Sequence, residues 1–104
     1  MNINENSNIE DLRTLIRGCD DENFNHLIWV SKKGDVTVEK FKTNNPSSEF
    51  ELSVGDNLKF WIGVFYRSNG YVGEQAANDD EYLNDLYKNI IDNWQNDFLG
   101  HVEN

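Results

Sequence analysis

The fold is decided by residues 58–67, which read LKFWIGVFYR. Side chains of a β-strand alternate between its two faces, so Phe60 and Ile62 are expected on one face. Trp61 and Phe65 then lie on the opposite face. Because both faces carry large apolar side chains, this run is predicted to be a central strand that is covered on both sides. In the alternative, the second face is open and its aromatic residues form a contact surface.

Three other runs show the alternating pattern of strands. Residues 26–32 and 35–41 are separated by a Lys-Gly pair at positions 33–34, which predicts a local hairpin with a tight turn. Residues 49–54 form a shorter run with three apolar side chains on one face. Since short connections favour neighbouring antiparallel strands, these runs and residues 58–67 together predict a four-stranded antiparallel sheet.

Both ends of the chain have the pattern of amphipathic helices. Ser7 followed by Glu10 is a capping-box pair at the start of the first helix, and Gly18 is expected to end it. Asn78 followed by Glu81 repeats the pair before an apolar stripe of about five helical turns, and Gly100 is expected to end this second helix. The predicted fold is one α+β domain over all 104 residues. It is a two-layer sandwich, in which N- and C-terminal helices flank the four-stranded antiparallel sheet.

Composition excludes several functional classes. The net charge of −10 opposes binding to a nucleic-acid backbone or an anionic membrane. A single Cys cannot form an internal disulfide, and one Cys with two His argues against a zinc site. No run approaches the roughly 18 apolar residues of a membrane helix, and the polar N-terminus lacks the pattern of a secretory signal. We therefore expect a cytoplasmic protein.

The charge is concentrated at the C-terminal end. Residues 74–104 hold eight acidic side chains against a single lysine, a net −7. The opposite sign is clustered on the predicted hairpin, at Lys32, Lys33, Lys40 and Lys42. We interpret these four lysines as solubilising residues, because lysine is common on exposed strands.

No constellation of residues indicates catalysis. Neither His26 nor His101 has a Ser, Cys or carboxylate at the spacing of a known catalytic motif. Cys19 precedes the acidic residues 20–22, which disfavour a thiolate nucleophile. The acidic residues 79–81 are explained by helix capping and lack the alternating ligands of a calcium loop. The chain is therefore predicted not to be an enzyme.

One small domain without catalytic residues and with a strongly acidic end favours a binding protein. The natural example is an immunity protein or antitoxin, a small inhibitor that neutralises a basic bacterial toxin or nuclease by direct binding. The expected contacts are six acids and an aromatic residue in a glycine-containing loop: Tyr71, Glu74, Asp79, Asp80, Asp85, Asp92 and Asp97. No cofactor or metal ion is expected.

The alternative is a small enzyme or small-ligand domain with a pocket between the sheet and the helices. Trp29, Trp61, Phe65 and Tyr66 would line that pocket, and His26 would be its acid–base residue. Both functions are compatible with the predicted fold, so the placement of these side chains has to discriminate between them.

Overall fold

Three α-helices and four strands make up the described part of the chain in the computed structural model. In chain order they are α1 (Ile9–Arg17), β1 (Asn25–Ser31), β2 (Val36–Phe41), β3 (Leu58–Phe65), α2 (Gly73–Asn78), α3 (Asp80–Gln95) and β4 (Gly100–His101), with a 3-10 turn at Gly55–Asn57. The structure describes residues 1–19, 24–42, 50, 53–62 and 73–102, and the backbone of residues 63–65. None of the helices among these residues is long and apolar enough to cross a membrane.

The strands form a single mixed sheet in the order β2-β1-β3-β4. β1 lies antiparallel to both β2 and β3, whereas the two-residue β4 lies parallel to β3. The α+β class is therefore confirmed, but the sheet is not all antiparallel. The fourth strand comes from the end of the chain, after α3, and not from residues 49–54.

The strand prediction for residues 49–54 is wrong for the residues that the structure describes there. Phe50, Ser53 and Val54 have helical backbone. Phe50 and Val54 are buried in one apolar cluster that packs on the sheet, and neither belongs to one of its strands. A run this short has apolar spacing that fits a strand and a helical turn equally well. Residues 49, 51 and 52 lie outside the described residues.

The hairpin of β1 and β2 is confirmed, with a three-residue loop between Ser31 and Asp35. The amide of Ser31 donates to the carbonyl of Asp35 at 2.9 Å, and the Gly34 amide donates to the Ser31 carbonyl at 2.9 Å. Gly34 has a φ of +88°, which only glycine adopts without strain. A Cβ at Gly34 would also lie 3.3 Å from the ring of Trp94, so the loop is fitted closely against α3.

Helix α1 begins one residue later than predicted. Asn8, and not Ser7, is its N-cap: the side-chain oxygen of Asn8 accepts from the amides of Glu10 at 2.9 Å and Asp11 at 3.2 Å. The Ser7 hydroxyl instead donates to the carbonyl of Asn4. The predicted end at Gly18 is confirmed, because Gly18 is the C-cap.

Helix α3 begins at the Asp79 cap, whose carboxylate accepts from the Tyr82 amide at 3.1 Å. The predicted cap, Asn78, is instead the last residue of α2. The helix ends at Gln95, several residues before the predicted stop at Gly100. There Asp97 adopts a φ of +54°, and the Phe98 amide donates to the carbonyl of Asn93 at 2.9 Å. This bond pattern closes a helix, and it allows the chain to turn back and add β4 to the sheet.

Both faces of the sheet are covered, as the sequence of β3 predicts. The helix-facing core is apolar and draws on all three helices and on β1, β2 and β3; its fully buried members include Leu12, Ile16, Val30, Phe60, Ala76, Leu83 and Ile90. The opposite face carries a second cluster, in which Leu27, Trp29, Phe41, Phe50 and Val54 are buried. The described part of β3 therefore separates two layers of apolar side chains. The alternative of an open second face does not hold there.

Candidate functional site

The seven residues predicted to bind a partner fall into three groups in the structure. Tyr71 lies outside the described residues, so its role as an aromatic anchor stays a prediction. Three of the six acids make contacts within the fold: Asp79, Asp80 and Asp97. The other three are exposed and make no salt bridge with any described residue: Glu74, Asp85 and Asp92.

Asp80 helps to hold α1 against the start of α3. Its carboxylate lies 3.0 Å from the guanidinium of Arg13, which also donates to the carbonyl of Ala77 at the end of α2. Arg13 also forms a salt bridge with Glu10 on its own helix, at 3.0 Å. Two hydrogen bonds raise the pKa of Arg13 above its ordinary value. The bond to Glu10 has the larger effect and the bond to Asp80 the smaller. One arginine thus joins α1, α2 and α3, and Asp80 is part of that junction.

Asp97 is tied to the sheet by an ion pair with Lys59 of β3. The two groups lie 2.5 Å apart, and the Lys59 side chain is only 12% exposed. The same ammonium lies 4.3 Å above the ring of Trp94, a favourable cation–π distance. Because Asp97 also holds the turn that ends α3, a partner that used this carboxylate would have to displace an existing contact.

The remaining carboxylates of α3 share one outer face of the helix. Asp85 and Asp92 are seven residues apart, and Glu81 precedes Asp85 by four, so all three project from the same side. All three side chains are exposed. Lys88 lies between them, yet the structure contains no salt bridge from Lys88 to any described carboxylate. We call Glu81, Asp85 and Asp92 the acidic face.

The predicted site does not include Glu81, because helix capping already accounts for an acidic residue at the start of this helix. Its spacing of four from Asp85 and eleven from Asp92 was the available signal, since both intervals return to the same side of an α-helix. Glu74 is exposed on α2, a separate helix from the acidic face. The structure therefore brings two of the predicted residues together, Asp85 and Asp92, and adds Glu81 to them.

The two histidines do not meet. His26 is fully buried and lines a cleft of about 310 Å³ between the end of α1 and strand β2, together with Cys19. His101 of β4 is exposed and stacks on Trp61, with ring centres 3.7 Å apart and planes inclined by 12°. The Cys19 sulfur lies 3.7 Å from the carbonyl of Leu15, so it contacts the C-terminal end of α1.

The pocket of the alternative function is divided by the sheet. His26 faces α1, whereas Trp29 and Trp61 belong to the cluster on the opposite face. The side chains of Phe65 and Tyr66 lie outside the described residues. One pocket between sheet and helices therefore does not contain both the histidine and the two tryptophans. Within the described ranges, no three His, Cys, Asp or Glu side chains are grouped so as to hold a metal ion.

The chain matches no protein-family model, and no curated protein or solved structure is significantly similar to it.

Proposed function

We propose that this protein is a small acidic inhibitor of the immunity-protein or antitoxin type, which binds a basic toxin or nuclease through the acidic face of α3. One observation carries the proposal. The acids at the two ends of α3 are engaged in capping and ion pairs, whereas Glu81, Asp85 and Asp92 between them are exposed and make no salt bridge with a described residue. Their charges remain available to a partner.

The acidic face is held rigidly. Leu83, Leu86 and Ile90 are buried on the opposite side of α3, and the Arg13–Asp80 and Lys59–Asp97 ion pairs fix the two ends of the helix. At 1.5 Å per residue, the row from Glu81 to Asp92 is about 16 Å long. Because the backbone of α3 is already ordered, this row of carboxylates can meet a cationic cleft without a further cost in backbone entropy.

The overall charge adds a long-range contribution. A net charge of −10 attracts a basic partner before contact and raises the rate of productive encounter. Glu74, Asp79, Asp80 and Asp97 contribute to this field, although three of them already contact other groups of the fold. In this proposal the protein acts in the cytoplasm, needs no cofactor and catalyses no reaction.

The experiment compares two double variants that make the same change in charge. Asp85→Asn/Asp92→Asn alters the acidic face, and Glu39→Gln/Asp56→Asn alters one acid of β2 and one of the turn before β3. Each variant and the wild type are immobilised and exposed at low salt to a lysate of the source cells. We expect the wild type and the control to retain the same basic protein, and the acidic-face variant to retain much less of it.

The captured protein is then expressed alone and together with the inhibitor. The proposal requires that it harms growth when alone and that the wild-type inhibitor restores growth. Recovery of the same proteins in equal amounts by all three baits would contradict the role of the acidic face. A captured basic protein without toxicity would contradict the inhibitor function while leaving the binding surface intact.

The alternative, a small-ligand domain, has the cleft at His26 as its supporting observation. That cleft lies between a helix and the sheet, as the alternative requires, and the surface of its lining is mainly apolar. Thermal unfolding with a panel of metabolites tests it. A rise in unfolding temperature with one metabolite, lost in Val38→Trp, which fills the cleft, would favour the ligand function.

A further inference from the structure

Strand β2 forms an edge of the sheet, and most of that edge has no described residue paired with it. Among the described residues, only the segment Met1 to Ile3 pairs with it. The Val36 amide donates to the Met1 carbonyl at 2.7 Å, and the Ile3 amide donates to the Gly34 carbonyl at 2.7 Å. The edge beyond Val36 has no strand beside it in the described part of the chain.

The alternation of hydrogen bonds along β2 shows which of its backbone amides and carbonyls point away from the sheet. The pairing of β1 with β2 runs without a register shift from Val30↔Val36 to Asn25↔Phe41. In an antiparallel ladder every second residue bonds to the partner strand, and the residues between them point the other way. Since the Val36 amide points outward to Met1, the amides and carbonyls of Val38 and Lys40 also point outward.

The same residues border the cleft that contains His26. The cleft has a volume of about 310 Å³ and lies between β2 and the end of α1. The surface of its walls is mainly apolar, and three aliphatic residues contribute to it, Leu15, Val36 and Val38. An open strand edge beside an apolar cleft under a helix is the geometry in which an extended peptide is added to a sheet. Backbone groups of β2 would bind the peptide backbone, and the cleft would take a side chain.

One end of this edge carries two lysines whose ammonium groups lie over the same aromatic ring. The ammonium groups of Lys40 and Lys42 lie 5.7 and 5.5 Å from the centre of the Phe24 ring. Both ammonium groups therefore lie on one side of the strand, and their cation–π contacts with the ring stabilise them there. This local charge selects an acidic residue in the incoming segment. It also disfavours a second copy of this chain, because antiparallel pairing of the two free edges about Lys40 would place the Lys40 residues of both copies opposite each other.

We propose that the open edge of β2 from Thr37 to Phe41 binds an extended segment of a partner protein by strand addition. The segment has an aliphatic side chain that enters the cleft and an acidic side chain that meets Lys40 and Lys42. This surface is separate from the acidic face of α3, and the proposal does not depend on the inhibitor function.

The test uses a phage-displayed library of random 12-residue peptides, selected on the full-length protein. We expect the enriched peptides to alternate aliphatic and acidic residues. The best peptide should bind Lys40→Glu/Lys42→Glu at least tenfold more weakly, and should bind Lys32→Glu/Lys33→Glu as it binds the wild type. The second variant makes the same change in charge in the exposed hairpin loop.

Two measurements identify strand addition independently of these substitutions. Binding should slow hydrogen exchange at the amides of Val38 and Lys40, whereas those of Thr37 and Glu39 should be slow already in the free protein. Methylating single backbone nitrogens of the peptide should weaken binding tenfold or more at every second position, because only those amides bond to β2.

Absence of enrichment, a basic consensus, or equal binding to both double variants would overturn the proposal. Methylation effects without the two-residue period would also overturn it. Protection of Val38 and Lys40 that rises with protein concentration in the absence of peptide would show that a second copy covers the edge, and would overturn the peptide as occupant.

Discussion

Replacing Phe50 with alanine tests whether the second face of the sheet is a true core. Phe50 has no exposed surface, and its ring lies 6.0 Å from Trp29, 5.9 Å from Trp61 and 6.4 Å from Phe41, centre to centre. It therefore connects the segment before β3 to three aromatic rings that the sheet presents. Removal of its ring would leave a cavity in the middle of this cluster.

The expected cost is large. Replacement of a buried Phe by Ala typically lowers the free energy of unfolding by about 3–5 kcal/mol. A domain of this length has a total stability of about 5–15 kcal/mol, so Phe50→Ala would remove a large share of it. Phe50→Leu keeps most of the apolar volume and loses mainly the ring contacts, which are worth about 0.5–1.5 kcal/mol for each pair.

Urea denaturation followed by tryptophan fluorescence measures both variants, since Trp29 and Trp61 are close to the mutated ring. With a slope of about 1.5 kcal/mol per molar urea, the midpoint of Phe50→Ala should fall by about 2–3 M. A loss below about 1 kcal/mol would refute the reasoning, because such a loss is typical of a site that is not closely packed. Phe50→Leu should lie between Phe50→Ala and the wild type.

Three further substitutions test the local reasons for the fold, with unfolding in urea as the assay. Gly34→Ala should cost more than about 1 kcal/mol, because the residue has a positive φ and its added Cβ would meet Trp94; a neutral result would contradict the loop geometry. Asn8→Ala should lower the free energy of unfolding by about 1 kcal/mol through loss of the α1 cap, whereas Ser7→Ala should lower it by less than about 0.5 kcal/mol. The reverse order would show that Ser7 is the cap, as the sequence predicted. Trp94→Ala should lower the free energy of unfolding by less than about 3 kcal/mol, because Trp94 is partly exposed and a fully buried ring is worth about 3–5 kcal/mol. A loss within that higher range would contradict the partial exposure of Trp94.

The elements that sequence analysis located correctly are those defined by local patterns. Each of them depends on neighbours within a few positions, so its period is visible in the chain. They are the alternation in residues 58–67, of which the structure describes 58–65, the hairpin at Gly34 and the amphipathic ends. The cap of α1 was misplaced by one residue because Ser7 and Asn8 are both good caps, and only the hydrogen bonds to Glu10 and Asp11 distinguish them.

The features that sequence analysis missed depend on distant contacts. Strand β4 has two residues and no alternating pattern, and it exists because the turn at Asp97 returns the chain to β3. The pairings of Arg13 with Asp80 and of Lys59 with Asp97 join residues 67 and 38 positions apart. No sequence period reports such pairs, so the predicted site included acids that the fold already uses. The exposed acids of α3 were predictable because they follow the helical repeat.

The association rate of the captured basic partner is the most direct measurement of the central claim. Stopped-flow mixing at low salt compares the wild type with Asp85→Asn/Asp92→Asn and with the control Glu39→Gln/Asp56→Asn. The account predicts that the acidic-face variant associates about tenfold more slowly than the wild type and loses part of its salt dependence, since steering by exposed charge acts mainly on association. The control should stay within about twofold of the wild type, because its two acids lie away from the contact. Equal association rates for the two double variants would show that the charges of α3 only solvate the helix, and would contradict the account.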